Sequence, residues 1–343
     1  MNIGQKSTGA IRTLLRRPIP SSRLPPLLSR PMSATSDIKI LRTVAEVRQW
    51  RRDLLVKNES VGFVPTMGAL HAGHLALVNH SKKENDHTIV SIFVNPAQFA
   101  PHEDLDQYPR TFDSDKAKLD ELGGVSAIFL PTVKEMYPNG IKLDRSKQVG
   151  AFVEVQGLSH QLEGSVRPHF FRGVATVVTK LLNIVQPERL YLGQKDVQQT
   201  VVVRRMVTDL HIPTDVRVCP TVRESDGLAM SSRNAYLNEE QWERANILIQ
   251  ALKAGEEAYL AGARSQKDIV GAAVAVIGDL MLKSENGVTL EYMSLADPET
   301  LQEIDEIPEG GKAIMSGAVR IGNAAKGERV TRIIDNQFLP RDA

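Results

Sequence analysis

The sequence predicts an α/β protein in which a Rossmann-like, doubly wound parallel sheet precedes a smaller C-terminal α+β domain. Between residues 37 and 221, short apolar segments alternate with segments of helical periodicity. This alternation is typical of an open parallel sheet that helices cover on both faces. Beyond Asp226-Gly227, two helical segments follow one another and strand-like segments come after them. At 343 residues the chain is long enough for two domains, which we predict at 37–221 and 222–343.

The elements of the first domain are predicted from their apolar patterns. Short apolar runs predict strands at 38–41, 61–64, 88–94, 127–130 and 189–192. Helical periodicity predicts helices at 43–57, from residue 73, at 173–185 and at 197–210. In an open parallel sheet, ligands bind beyond the carboxyl ends of the strands. Polar residues that follow these strands are therefore the first candidates for a functional site.

The elements of the second domain have a different order. Asn238 and Gln241 match a helix capping pair, and helical periodicity follows at about 239–262 and at 266–283. Strand-like segments lie near 289–296, 312–321 and 331–335, separated by turns that contain Gly and Pro. This order predicts helices packed on a small sheet.

The composition excludes several classes of protein. With 42% hydrophobic and 24% charged residues, the chain is neither a disordered nor a fibrous protein. No apolar run approaches the roughly 18 residues that span a bilayer, so we expect no membrane partner. The single cysteine, Cys219, excludes a disulfide framework and a multi-cysteine zinc site, and we expect it to be a small buried side chain.

The charge is distributed unevenly along the chain. Residues 1–36 carry six basic and no acidic side chains, whereas the remainder carries 36 basic and 41 acidic ones. An Arg-rich, acid-free head resembles an organelle presequence, so mitochondrial targeting of a disordered 1–36 segment is favoured. The alternative is a cytoplasmic protein with an untargeted tail. The acidic body is a poor match for nucleic acid, which we do not expect as a partner.

Two histidines, His71 and His74, lie where a predicted strand ends and a predicted helix begins. Free N–H groups at a helix start bind anions, and a glycine between the histidines allows close approach of a phosphate. Two imidazoles there could donate hydrogen bonds to charge that develops during reaction at a phosphate. The spacing alone also fits polar residues at a helix start or a metal pair, although no third ligand is nearby. The chain has neither a P-loop nor a dinucleotide-binding glycine motif.

Three further polar segments follow strands or turns. Asn95 and Gln98 come directly after the strand 88–94 and offer neutral, directional hydrogen bonds to a small ligand. The segment 193–196 ends another strand, and its Lys195 could neutralise a phosphate. Met230-Ser231-Ser232-Arg233 combines hydroxyls with a guanidinium, which suits a polyphosphate. Taken singly, each segment also fits an ordinary solvated turn.

Together these segments resemble the pantothenate synthetases, or pantoate–β-alanine ligases, of the nucleotidylyl transferases with a His-x-Gly-His motif. The resemblance covers nearly everything from Asp37 onward. It is carried by His71-Ala72-Gly73-His74, Asn95-Pro96-Ala97-Gln98-Phe99, Arg167-Pro168, Gly193-Gln194-Lys195-Asp196-Val197-Gln198-Gln199 and Arg223-Glu224-Ser225-Asp226-Gly227-Leu228-Ala229-Met230-Ser231-Ser232-Arg233-Asn234.

The resemblance implies roles for individual residues. The catalytic set would be His74 as proton donor, with His71, Lys195, Ser231, Ser232 and Arg233. ATP would be bound by Pro65, Thr66, Met67, Gly68, Ala69, Leu70, His71, Ala72, Gly73, His74, Gly193, Gln194, Lys195, Asp196, Val222, Met230, Ser231, Ser232 and Arg233. The substrate-binding set would be Gln98, Gln199 and Asn95.

The implied reaction joins pantoate to β-alanine in two steps. Pantoate would attack the α-phosphorus of Mg-ATP to give pantoyl adenylate, which β-alanine would convert to pantothenate and AMP. The family also implies a homodimer, magnesium carried mainly by the phosphates, and no tightly bound organic cofactor. The chain departs from the bacterial motif Arg-Pro-x-His-Phe-x-Gly, because Phe170 stands at the second His position and His169 is displaced by one. Two alternatives stay open: another nucleotidylyltransferase of this motif, and a non-catalytic nucleotide-binding protein of the same fold.

Overall fold

The computed structural model describes residues 37–100, 103–142, 144–281 and 287–340. All of these residues belong to one compact unit. The presequence predicted at 1–36 lies outside the described residues. Among the described helices, none combines the length and the apolar character needed to cross a membrane.

A parallel sheet forms the first part of the fold, as the sequence predicts, and it has six strands. Its strand order is β1-β4-β3-β2-β5-β6, and every neighbouring pair is parallel. The strands are β1 (Lys39–Leu41), β2 (Val61–Thr66), β3 (His87–Ile92), β4 (Ala127–Phe129), β5 (Arg189–Gly193) and β6 (Asp215–Cys219). Buried side chains from both faces of the sheet form two separate apolar clusters, so helices cover both faces.

Helices connect these strands. They are α1 (Val44–Val56), α2 (Ala72–Glu84), α3 (Phe112–Leu122), α4 (Val133–Met136), α5 (Glu163–Val166), α6 (Phe170–Val185) and α7 (Val197–Asp209). The apolar α6 is the most buried of these, and its C-cap is Gln186, directly before Pro187. Because β2, β3 and β5 lie side by side, the segments that follow them meet at one edge of the sheet.

Four elements of this part were not predicted: the single-turn helices α4 and α5, the longer helix α3 and the strand β6. Seven of the eleven side chains of α3 are polar, so its sequence resembles a solvated loop, although Asp115 and Leu119 are buried. Strand β6 is an edge strand with exposed alternate residues, and only its last residue, Cys219, is buried. The expectation for Cys219 is confirmed, and burial raises the pKa of its thiol to about 11.

The C-terminal part is α+β, as predicted, and its three strands form an antiparallel sheet. Strands β7 (Val288–Ala296), β8 (Ala313–Ile321) and β9 (Thr331–Leu339) pair in the order β7-β8-β9. The helices are α8 (Glu239–Ala245), α9 (Ile247–Leu260) and α10 (Gln266–Met281). The capping box of Asn238 and Gln241 is confirmed, but the helix predicted at 239–262 is interrupted at Asn246.

The two faces of this small sheet have different surroundings. Met315, Val319 and Ile333 belong to the apolar cluster that α9 and α10 share with the sheet. The opposite face carries Ser316 and Asn336, which line a cavity beside the carboxyl ends of the parallel strands. The C-terminal sheet therefore supplies one wall of that cavity.

Candidate active site

A cavity of about 670 Å³ lies where β2, β3 and β5 end. Its walls come from the β2–α2 junction, the segments that follow β3 and β5, the start of α6, and the inner face of the C-terminal sheet. Within the described residues, no group of three or more His, Cys, Asp or Glu side chains could hold a metal ion.

The β2–α2 junction has a strained backbone that a buried carboxylate holds. Gly68 and Ala69 have φ angles of +88° and +51°, in the left-handed region, which is costly for alanine. Asp115 of α3 is fully buried and accepts hydrogen bonds from the backbone N of Ala69 at 2.9 Å and of Leu70 at 2.7 Å. The unpredicted helix α3 therefore fixes the backbone from which the histidines project.

His71 and His74 face one another at the start of α2, with ring centroids 4.1 Å apart. His71 is the N-cap, and its Nδ1 accepts from the backbone N of Gly73 at 3.1 Å. His74 Nδ1 accepts from the backbone N of His71 at 3.4 Å. A ring nitrogen that accepts an N–H carries no proton, so each neutral ring carries its proton on Nε2.

Both imidazoles are uncharged at neutral pH. Burial, followed by the nearby charge of Lys195, lowers the pKa of His71 to about 4. Burial, followed by His71 and Lys195, lowers the pKa of His74 to about 3. The pair therefore presents two Nε2–H hydrogen-bond donors without positive charge.

Gly73 is required for this arrangement. A Cβ at this position would lie 2.8 Å from Cε1 and 2.9 Å from Nδ1 of the His71 ring. The sequence suggests that the glycine makes room for a phosphate, but in the structure it makes room for the ring of His71.

Asn95 and Gln98 occupy a short 3₁₀ turn (Pro96–Gln98) after β3. Asn95 is 1% exposed: its Oδ1 accepts from the Tyr137 hydroxyl at 2.7 Å and its Nδ2 donates to Gln98 Oε1 at 3.0 Å. Among the described residues, the Gln98 Nε2 has only the weak acceptor Met67 Sδ, at 3.2 Å. Gln98 therefore has a donor available for a ligand, whereas Asn95 holds Gln98 in place.

The segment after β5 is fixed by the C-terminal sheet. Gln194–Asp196 forms a 3₁₀ turn whose Gln194 and Lys195 carbonyls each accept from Nδ2 of Asn336, on β9, at 2.9 Å. The Lys195 ammonium lies 3.8 Å from Asp196, too far for a direct hydrogen bond. Its charge is therefore available to a ligand in the cavity.

The Met230–Arg233 segment reaches across to the parallel-sheet domain. The Ser232 hydroxyl donates to the carbonyl of Ala69 at 3.1 Å, on the strained junction. Arg233 pairs with both carboxylate oxygens of Asp104, at 3.0 and 3.1 Å, and this pairing lowers the Asp104 pKa although burial opposes it. An anionic ligand of Arg233 must therefore compete with Asp104.

All but five of the predicted site residues line the cavity. The lining set is Pro65, Thr66, Met67, His71, Gly73, His74, Asn95, Gln98, Gly193, Lys195, Asp196, Gln199, Val222, Met230, Ser231, Ser232 and Arg233. The structure does not bring Gly68, Ala69, Leu70, Ala72 and Gln194 to its wall.

The five residues have other surroundings. Leu70 is part of the apolar core, Gly68 and Ala69 form the strained turn, Ala72 is exposed, and Gln194 bonds to Asn336. Phe170 does line the cavity, where the Arg167 guanidinium stacks on its ring at 3.9 Å, while His169 is exposed.

Four polar residues that shape this site are among those that the sequence did not predict. Asp115 and Asn336 fix its backbone, Asp104 pairs with Arg233, and the buried Glu163 lines the cavity. Asp104, Asp115 and Glu163 do not directly follow a predicted strand, and Asn336, which does follow one, lies more than 260 residues from the histidine pair. A single sequence gives no signal that brings them to one place.

Fold and site together define a nucleotide-binding enzyme of the α/β class with a pair of neutral histidines at the strand ends. A model of the Pantoate-beta-alanine ligase family matches residues 39–338 of the chain. The chain belongs to this family, and it is a ligase.

The similarity to individual relatives extends over almost the whole length of each relative. The pantothenate synthetase of Herpetosiphon aurantiacus is 48% identical over 305 residues, 88% of this chain and 100% of that protein. The pantoate–β-alanine ligase of Saccharomyces cerevisiae is 45% identical over 309 residues, 87% of this chain and 99% of that protein.

Solved structures of relatives have the same fold as this chain. The pantothenate synthetase of Thermus thermophilus has a TM-score of 0.74 at 42% identity, covering 87% of this chain and 98% of that one. The Francisella tularensis ligase, complexed with β-γ ATP and β-alanine, has a TM-score of 0.68 at 32% identity, covering 89% and 99%.

Proposed function

We propose that this cavity joins pantoate to β-alanine in an ATP-dependent reaction that passes through pantoyl adenylate and releases pyrophosphate and AMP. One observation carries the proposal: two neutral Nε2–H donors, the Lys195 ammonium and the amides of Gln98 and Gln199 share one cavity at the strand ends. The histidines and Lys195 are donors for phosphate oxygens, and the glutamines beside them are donors for a small hydroxy acid.

In the first step, the pantoate carboxylate attacks the α-phosphorus and negative charge grows on the phosphate oxygens. His71, His74 and Lys195 are preorganised donors for that charge, and Ser231 and Ser232 add hydroxyls. Neutral imidazoles suit this role, because they strengthen their hydrogen bonds as charge develops without first binding the ground state tightly. His74 is the donor that we assign to the α-phosphate.

The glutamines position pantoate for this attack. Asn95 orients Gln98, so Gln98 would lose little rotamer freedom when its Nε2 exchanges the weak acceptor Met67 Sδ for pantoate. Gln199, on the first turn of α7, lines the same cavity, and its side chain has no hydrogen-bond partner among the described residues. Holding carboxylate and phosphorus in line supplies most of the remaining catalysis.

The adenosine and phosphates of ATP would lie along the segments after β2 and β5. Gly193, Asp196 and Val222 line that side of the cavity. Arg233 would bind the triphosphate by exchanging its Asp104 partner for phosphate oxygens. Magnesium would enter as part of Mg-ATP and stay mainly on the phosphates.

In the second step, β-alanine attacks the acyl carbon and AMP leaves. The acyl adenylate must be kept from water until then. We take residues 222–343 to be the lid, because Ser232 and Arg233 from this part of the chain already contact the parallel-sheet domain.

Two further proposals concern the oligomeric state of the protein and its location in the cell. The family resemblance supports a homodimer, which sedimentation of the purified protein would measure. The Arg-rich, acid-free segment 1–36 supports a mitochondrial location, which imaging of the full-length protein would test.

Isotope transfer tests the reaction itself. Pantoate labelled with ¹⁸O in its carboxylate is incubated with Mg-ATP and β-alanine, and the products are analysed by mass spectrometry. Adenylation predicts one labelled oxygen in AMP and none in pyrophosphate. Unlabelled AMP, or label in inorganic phosphate, would contradict an acyl adenylate.

A further inference from the structure

Glu163 is a buried carboxylate on the cavity wall. It is 6% exposed and begins α5, directly after Leu162, whose φ of +50° is in the left-handed region. Its backbone N donates to Gln198 Oε1 at 3.0 Å. Arg332, from β9 of the C-terminal sheet, donates through Nη1 to Glu163 Oε1 at 2.7 Å. Both side chains line the cavity.

Each member of this ion pair leaves one buried polar atom unsatisfied. Glu163 Oε2 and Arg332 Nη2 are both buried and have no hydrogen-bond partner among the described residues. Buried charged groups without partners are costly and rare, so such atoms call for a ligand or solvent. Here the two atoms are one anionic acceptor and one cationic donor on a single pair. The complement is a small molecule with one cationic donor and one anionic acceptor.

The charges around the pair also favour a ligand without net charge. Arg332 binds a second carboxylate, Glu291, at 2.6 Å, and Glu291 in turn binds Arg320. Arg167 lies 3.6 Å from Glu163 and pairs with Glu103 at 2.5 Å. The three arginines and three glutamates balance, so a further anion or cation would find no excess of opposite charge.

The pair lies next to both glutamines assigned to pantoate. Arg167 Nη2 donates to the backbone carbonyl of Gln98 at 3.2 Å. On the other side, Gln198, which accepts from Glu163 N, directly precedes Gln199. A ligand on Glu163 and Arg332 would therefore lie beside the pantoyl group.

We propose that Glu163 and Arg332 form the recognition site for the zwitterion β-alanine. The ammonium group donates to Glu163 Oε2, and the carboxylate accepts from Arg332 Nη2. This inference rests on the proposed function and assigns these residues to the second substrate only. Adenylation of pantoate does not need them.

The test compares Glu163→Gln and Arg332→Gln with Glu291→Gln as matched control. Glu291 pairs with the same arginine and is about as buried, but it does not line the cavity. Three quantities are measured: pantoate-dependent exchange of pyrophosphate into ATP, the KM for β-alanine, and the use of 3-aminopropan-1-ol, an amine without a carboxylate.

The expected results separate the two halves of the reaction. Glu163→Gln raises the KM for β-alanine about 10- to 100-fold, the loss of one charge-assisted hydrogen bond. Arg332→Gln raises it similarly but leaves the use of 3-aminopropan-1-ol nearly unchanged, so discrimination between the amines falls. All three variants keep pyrophosphate exchange within about threefold of wild type, and Glu291→Gln keeps its KM.

Equal KM changes in Glu163→Gln and Glu291→Gln would overturn the site, because the pair would then be structural. An Arg332→Gln enzyme that still discriminates between β-alanine and 3-aminopropan-1-ol would also overturn the site. If Glu163→Gln does not fold, as judged by thermal unfolding, Arg332→Gln decides through its amine preference. Absence of exchange in the wild-type protein would instead overturn the proposed function, and the site with it.

Discussion

His71 and His74 act through burial and tautomer, which the residues around them set. The sequence indicated this pair, because the His-x-Gly-His segment directly follows an apolar run, where a strand was predicted to end and a helix to begin. Sequence did not reveal that both Nδ1 atoms accept backbone N–H groups or that both rings are neutral. Those properties depend on burial and on Lys195, which is distant in sequence.

Replacing His74 with alanine removes one Nε2–H donor from the α-phosphate. We expect kcat to fall by about 10²- to 10³-fold, because the lost hydrogen bond is strongest in the transition state. Binding of ATP, measured by calorimetric titration, should change far less. His80→Ala, on the same helix but outside the cavity wall, is the control. Equal losses in turnover and ATP binding would make His74 a binding residue.

The lowered pKa values also predict how stability depends on pH. In the unfolded chain these histidines take up protons near pH 6.5, whereas in the folded protein they stay neutral down to about pH 4. The unfolded state therefore binds more protons in this window, and the free energy of unfolding falls as the pH drops from 6.5 towards 4.

Chemical denaturation between pH 7 and 5 measures this effect in wild type and in His71→Asn/His74→Asn. The double variant should show a shallower decline than wild type. Parallel curves for the two proteins would show that the histidines do not titrate as the structure implies.

At the level of elements, α3 fixes the catalytic junction although it contributes no side chain to the cavity wall. The apolar periods of α6 and α7 and the β-branched run of β3 made those elements predictable. Helix α3 and strand β6 were missed because one is mostly polar and the other is an edge strand with exposed residues. The role of Asp115 follows from packing between distant elements, for which a single sequence carries no pattern.

Asp115→Asn tests this supporting role. The new amide would keep one acceptor oxygen but place a donor against the other of the two backbone N–H groups, so we expect a loss of about 2 kcal/mol in the free energy of unfolding. Activity should fall as well, because Gly68 and Ala69 would relax from their left-handed conformation. Asp113→Asn, exposed on the first turn of the same helix, is the control. If both variants behave like wild type, α3 does not hold the junction.

At the level of the whole molecule, the cavity joins residues from both ends of the chain. The parallel sheet supplies the histidines and the glutamines, and the C-terminal sheet supplies Asn336 and Arg332. The order of strands and helices predicted both sheets. It did not predict that the second sheet would turn a polar face towards the first, because strand periodicity shows which residues share a face but not what that face contacts.

In the proposed reaction, the cavity adenylates pantoate before any amine reacts. Pantoate-dependent exchange of labelled pyrophosphate into ATP, in the absence of β-alanine, measures that step directly. We predict rapid exchange that requires both pantoate and magnesium and that falls at least 100-fold in His74→Ala. Exchange that needs β-alanine, or no exchange with pantoate at all, would contradict adenylation of pantoate as the first step.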